Sequence, residues 1–173
     1  METLIARSIL GGVVVAAAAT DLRHRRIPNW LTVPAMATGL VLNGISGIGF
    51  GTAILGMLAA LGVYFLCFAA GFRGAGDGKL MGAVGAFVGW PHIVVVMVWV
   101  ALLGGVAAIV FCWRQGVLGA VLRNTASLMA DMACLRWQAV KERSDHRAPG
   151  RITMPHGPVI AAATLAFLLL FPR

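Results

Sequence analysis

The chain has six acidic residues, and two of them stand where an apolar sequence has little reason to keep a charge. Asp21 follows the run "LIARSILGGVVVAAAAT", and Asp77 lies in "GAGDGK", residues 74–79. A charged side chain costs about 2.5–3.5 kcal/mol at the centre of a membrane helix and less near the interface. A carboxylate retained there calls for a task. Two carboxylates brought close do not both ionise easily, so they share a proton. The ionised partner takes a proton from water. The protonated partner hydrogen-bonds a peptide carbonyl and later protonates the leaving amine. The chemistry available to Asp21 and Asp77 is therefore hydrolysis of a peptide bond, and glycines around Asp77 would let the backbone unwind and an extended peptide approach. The plainer alternative is a local ion pair for each, Asp21 with Arg25 and Asp77 with Lys79. Glu2, Asp131, Glu142 and Asp145 fall at a terminus or in a polar stretch, where solvation accounts for them.

Other chemistries fit less well. A phosphate-binding loop needs Gly, four residues, then Gly-Lys-Ser/Thr. Here Arg73 takes the first glycine position and Leu80 the hydroxyl position. The dinucleotide pattern G-x-G-x-x-G fails at Lys79. Cys67, Cys112 and Cys134 form no C-x-x-C, and the four histidines form no H-E-x-x-H, so neither a metal nor another cofactor is expected. "GISG", Gly44–Gly47, looks like the nucleophile motif of rhomboid proteases with Ser46 as nucleophile. It would need a histidine within hydrogen-bond reach. His156 is expected on the opposite side of the membrane from Ser46, and His92 stands at a helix boundary after Trp90–Pro91.

The elements that must position the two aspartates are membrane helices. Sixty per cent of the 173 residues are hydrophobic and 12% are charged, and the mean hydropathy is +0.88. Soluble domains run at about 45–50% apolar and about 25% charged. Apolar stretches fall at 3–20, 30–50, 51–71, 79–90, 92–113 and 152–171. Most approach the ~20 residues that span a bilayer. The fourth is short and carries Gly78, Gly82, Gly85 and Gly89, whose spacing lets backbones approach closely and predicts a central helix. Within 114–151, Leu118, Val121, Leu122, Leu128, Met129, Met132, Leu135 and Ala139 recur at helical spacing opposite a polar face that includes Asp131. That pattern predicts an amphipathic helix lying in the membrane interface.

The expected fold is thus an all-α polytopic membrane bundle of six transmembrane helices plus a cytoplasmic interfacial helix. It forms one membrane-embedded domain over 1–173, with 114–151 as an insertion. Arg23, Arg25 and Arg26 follow the first span, Arg73 and Lys79 flank the end of the third, and seven of the fourteen basic residues lie in 114–151. Six alternating spans put these connections on one side. Cytoplasmic loops collect Lys and Arg, so that side is cytoplasmic and both termini point outward. The net charge of +8 then serves orientation and attraction to anionic lipid, not nucleic acid. A cleaved secretory signal ending near Thr20 is the weaker reading of the first segment, because five further apolar segments follow it.

The motifs resemble those of a known family. "GAGD", Gly74–Asp77, matches the GxGD motif of membrane-embedded aspartic proteases. "DLRHRRIPN", Asp21–Asn29, resembles the first-aspartate segment of prepilin peptidases. "MPHGP", Met154–Pro158, resembles the Pro-x-Gly-Pro with which their last span opens. The resemblance covers nearly the whole chain and keeps the order of parts. It implies an aspartic endopeptidase of the cell (inner) membrane that cuts the short basic leader from pilin-like precursors at the cytoplasmic face. Asp21 and Asp77 would be the catalytic aspartates, and Gly74 and Gly76 the motif glycines. Longer members carry an additional cytoplasmic domain with paired C-x-x-C and methylate the new N-terminus. Nothing here matches that domain, and the short form resembles the peptidases of Tad or Flp pilus systems.

Two readings of other classes stand beside this one. A proton-coupled transporter would suit Gly-interrupted helices and intramembrane acids, but such acids usually lie near the midplane, and the chain shows no internal repeat. A purely structural assembly subunit would need neither aspartate for cleavage.

Overall fold

A computed structural model describes residues 2–45, 47–69, 74–117 and 156–171, together with 119, 121, 123, 125–127, 130 and 134. Secondary structure among these residues is helical: α1 Glu2–His24, α2 Asn29–Ile45, α3 Phe50–Ala69, α4 Ala75–Val88, α5 His92–Arg114 and α6 Gly157–Leu170. These fall on the six apolar stretches read from the sequence. Leu4–His24, Phe50–Ala69 and His92–Arg114 are long and apolar enough to cross a membrane. The α2 helix has 17 residues, while α4 and α6 have 14 each. Isolated helical positions at 119–130 fall in the expected amphipathic segment. Most of 114–151, including Asp131, lies outside the described residues, as does Ser46.

Helix direction follows from which residues meet. The start of α4 lies against the end of α3, since a Cβ added to Gly78 would come within 3.2 Å of the Tyr64 Cβ. The far half of α4 meets the first half of α3 at Gly85 and Gly56. The two helices are therefore antiparallel. The α2 helix runs parallel to α4, with Asn29 beside Lys79 and Asn43 beside Ala86 and Phe87. α1 and α6 are antiparallel: Asp21 meets Gly157 and Arg7 meets Phe171. α5 ends on the side where α6 begins, as Gly104 lies near His156 and Val159. The chain therefore runs back and forth, and the ends of α1, α3 and α5 share one end of the bundle with the starts of α2, α4 and α6.

The centre of the bundle is α4, where all nine residues from Leu80 to Val88 are buried. Its glycines explain how so short a helix is enclosed. A Cβ on Gly85 would run into the Gly56 carbonyl oxygen, and one on Gly82 would come within 2.8 Å of Leu61 Cδ2. The backbones of α3 and α4 touch, as small residues at this spacing allow. Around this pair the core is Leu10, Val14 and Ala17 of α1, Ile93, Val96 and Val100 of α5, and Ile160, Ala163 and Phe167 of α6. The outward faces carry Leu58, Phe65, Leu102, Val106 and Leu169, all exposed. Helices apolar on both faces belong in lipid rather than water.

One polar device closes the end of α4 away from Asp77. The buried Asn43 Nδ2 donates to the carbonyls of Ala86 at 2.7 Å and Phe87 at 2.9 Å. Carbonyls in the last turn of a helix have no partner within it, and Asn43 supplies one from α2.

Candidate active site

Asp21 lies one turn from the end of α1, where the helix is already enclosed by its neighbours. It is 7% exposed. Its Oδ2 accepts a hydrogen bond from the Gly157 backbone N–H at 2.8 Å. Arg25, the local partner considered for Asp21, donates its backbone N–H to the Asp21 carbonyl. Arg25 has φ 52°, a left-handed turn that ends α1 and sends the chain across to α2. The Arg23, His24, Arg25 and Arg26 side chains are exposed. Ile27 then returns to the core.

Asp77 stands in the first turn of α4, half-buried. The glycines beside it would permit unwinding, but from Ala75 onward the backbone is helical. Gly74 is the N-cap, in an extended conformation, and Gly76 and Gly78 are helical. These two glycines serve close packing. A Cβ on Gly76 would lie 3.4 Å from the Ile27 Cβ, and one on Gly78 would crowd Tyr64. Among the described residues nothing lies within 4 Å of a Cβ added at Gly74. Lys79, the local partner considered for Asp77, donates through Nζ to Asn29 Oδ1 at 2.8 Å.

Three segments far apart in sequence thus converge at one end of the bundle. Residues 21–29 pack against 74–79 through Ile27–Gly76 and Asn29–Lys79. They meet the start of α6 through Asp21–Gly157. Each carboxylate lies at a helix N-terminus, Asp77 within the first turn of α4 and Asp21 against the first residue of α6. Free N–H groups and the helix dipole favour negative groups there. Met154 and Pro155 lie outside the described residues, while His156, Gly157 and Pro158 of the same motif are in place.

Sequence reasoning missed Asn29, Asn43 and the bond from Gly157. A signal existed for Asn43, because a lone amide in "GLVLNGI" must find a partner in an apolar bundle. Among the described residues no group of three or more His, Cys, Asp or Glu is placed to hold a metal ion.

Comparison with known proteins agrees with the arrangement of motifs. A Myxococcus xanthus protein named prepilin leader peptidase/N-methyltransferase is 27% identical over 213 residues, covering 98% of this chain and 62% of the relative. Proteins of the same name from Escherichia coli K12 and Aeromonas salmonicida are 33% and 32% identical, over 54% and 61% of this chain. The chain spans 62% or less of the length of these relatives. No solved structure matches it. The profile of the type IV leader peptidase family matches residues 8–109, a stretch that contains both Asp21 and Asp77, and the chain belongs to that family.

Proposed function

We propose that this protein is a membrane aspartic endopeptidase that removes the short basic leader from pilin-like precursors, with Asp21 and Asp77 as its catalytic pair. The observation that carries the reading is the convergence of 21–29, 74–79 and 156–158 on one end of the bundle, with Asp21 buried and held. A buried carboxylate in an apolar bundle is costly to keep without a function. The relatives' names supply the substrate class. One aspartate activates water, and the other, protonated, polarises the scissile carbonyl and then protonates the leaving amine. The clearance at Gly74 among the described residues suits the approach of an extended peptide. The bundle crosses the inner membrane six times, with the shorter α2, α4 and α6 completing the three long spans. The site faces the cytoplasm, where the exposed Arg23, Arg25 and Arg26 meet anionic lipid. Cleavage is expected to require no cofactor.

The decisive experiment is cleavage of a pilin-like precursor by purified protein in detergent. Asp21→Asn and Asp77→Asn each abolish cleavage while the protein remains inserted and folded. The double variant is no worse than either single one, because the pair acts as a unit. Wild-type rate rises and then falls with pH, since the pair works with one proton between its members. Asp131→Asn is the control and retains activity. Near-wild-type cleavage by Asp77→Asn would sink the reading.

A further inference from the structure

We propose that Gly157 is a positioning residue for Asp21, fixing one carboxyl oxygen so that the other is presented to the reaction. The proposal rests on the reading of Asp21 as one of the catalytic pair.

Two observations at the same place carry it. The Gly157 N–H donates to Asp21 Oδ2 at 2.8 Å. The space where any other residue would carry its Cβ is filled by Asp21 itself, with the Asp21 Cβ at 2.8 Å and Oδ2 at 2.9 Å from that point. Real Cβ atoms essentially never come so close, so a side chain at 157 must push the carboxyl aside. The donor is a backbone group in the first turn of a helix, where N–H groups have no intrahelical acceptor. It therefore aims at Asp21 without competing with the α6 ladder. Pro158 follows at the second helical position, where its missing N–H costs nothing. With Oδ2 engaged, Oδ1 is the oxygen left to take a proton from water or to face Asp77. A carboxyl held by one oxygen keeps its plane fixed, and a displacement of about 1 Å in such a group costs on the order of 100-fold in rate.

Gly157→Ala keeps the N–H and adds only the methyl group. In the precursor-cleavage assay, normalised to folded protein, it lowers kcat by about 100-fold. KM stays within about twofold, as expected when ground-state binding is untouched. It also displaces one limb of the pH–rate profile, which a mere packing defect would leave in place. A second measurement does not depend on that variant folding. Gly157 is the one glycine in the chain preceded by histidine. Labelling histidine carbonyl carbon with 13C and glycine nitrogen with 15N therefore isolates its amide resonance in the detergent-solubilised protein. That resonance shifts between wild type and Asp21→Asn, as the charged acceptor becomes neutral. Wild-type kcat and pH profile in Gly157→Ala, or an unmoved Gly157 resonance in Asp21→Asn, overturns the proposal. Loss of cleavage in Asp21→Asn beside wild-type kcat in Gly157→Ala removes the positioning role alone. Normal cleavage by Asp21→Asn removes the catalytic reading as well.

Discussion

Lys79 Nζ donates to Asn29 Oδ1 at 2.8 Å, tying the first turns of α4 and α2 together across 50 residues of sequence. The bond is exposed, so its contribution to stability is small, about 0.5–1 kcal/mol. Its geometric effect is larger, because it fixes the loop after Asp21 against the helix that carries Asp77. Lys79→Met and Asn29→Ala each lower the cleavage rate more than they lower thermal stability. Combined, they do little more harm than either alone, which a double-mutant cycle on cleavage rate measures. Fully additive losses would mean that the two side chains act separately.

The contact between α3 and α4 has no room for even a methyl group. Gly85→Ala drives its Cβ into the Gly56 carbonyl oxygen, and backbone cannot swing aside as a flexible side chain can. Destabilisation of about 2–3 kcal/mol is expected, in the range of overpacked cores. Gly62, on the outer face of α3, has nothing within 4 Å of such a methyl. There the same substitution is neutral or stabilising by up to about 1 kcal/mol through helix propensity. Thermal melts of the two variants in one detergent make the comparison.

Asn43 holds two carbonyls at the far end of α4. Asn43→Leu leaves both without a donor in an apolar setting, at a cost of about 1–3 kcal/mol. The loss appears in stability, not in the pH dependence of cleavage, because Asn43 lies at the opposite end of α4 from Asp77. A changed pH profile with unchanged melting would contradict this division.

The orientation of the bundle is testable without any substrate. A cysteine placed at Ser144, in the insertion between α5 and α6, is shielded from membrane-impermeant reagents in intact cells and reacts after the membrane is opened. Labelling from outside would reverse the bundle and move the proposed site to the other face.

Much of this architecture could be read from residue types. The glycines of α4 were legible because four small residues at regular helical spacing have few uses other than close packing, and the buried helix bears that out. Six alternating spans put the Asp21 and Asp77 ends of the helices on one side, and the observed helix directions agree, with Gly157 at the same end. The partners of the charges were harder to see. Spacing along the chain offered only neighbours such as Arg25 and Lys79, and folding adds Gly157 beside Asp21 and Asn29 beside Lys79 from other helices. The glycines beside Asp77, read as letting the backbone unwind, are helical at Gly76 and Gly78. Glycine permits irregular backbone but does not demand it, and here the gain is contact with Ile27 and Tyr64. The expected interfacial helix in 114–151 lies largely outside the described residues.

The bond between Asp21 and Gly157 also sets an order of events in time. The two residues are 136 positions apart, and chains are made at about 5–20 residues per second. Roughly ten seconds therefore separate the emergence of the aspartate from that of the glycine that holds it. For the later part of that interval, once Asp77 has been made, the newborn chain carries both aspartates while α6 does not yet exist. On the proposed reading, peptide-bond cleavage switches on only after α6 has been made, and a ribosome stalled before residue 157 leaves an inert fragment in the bilayer.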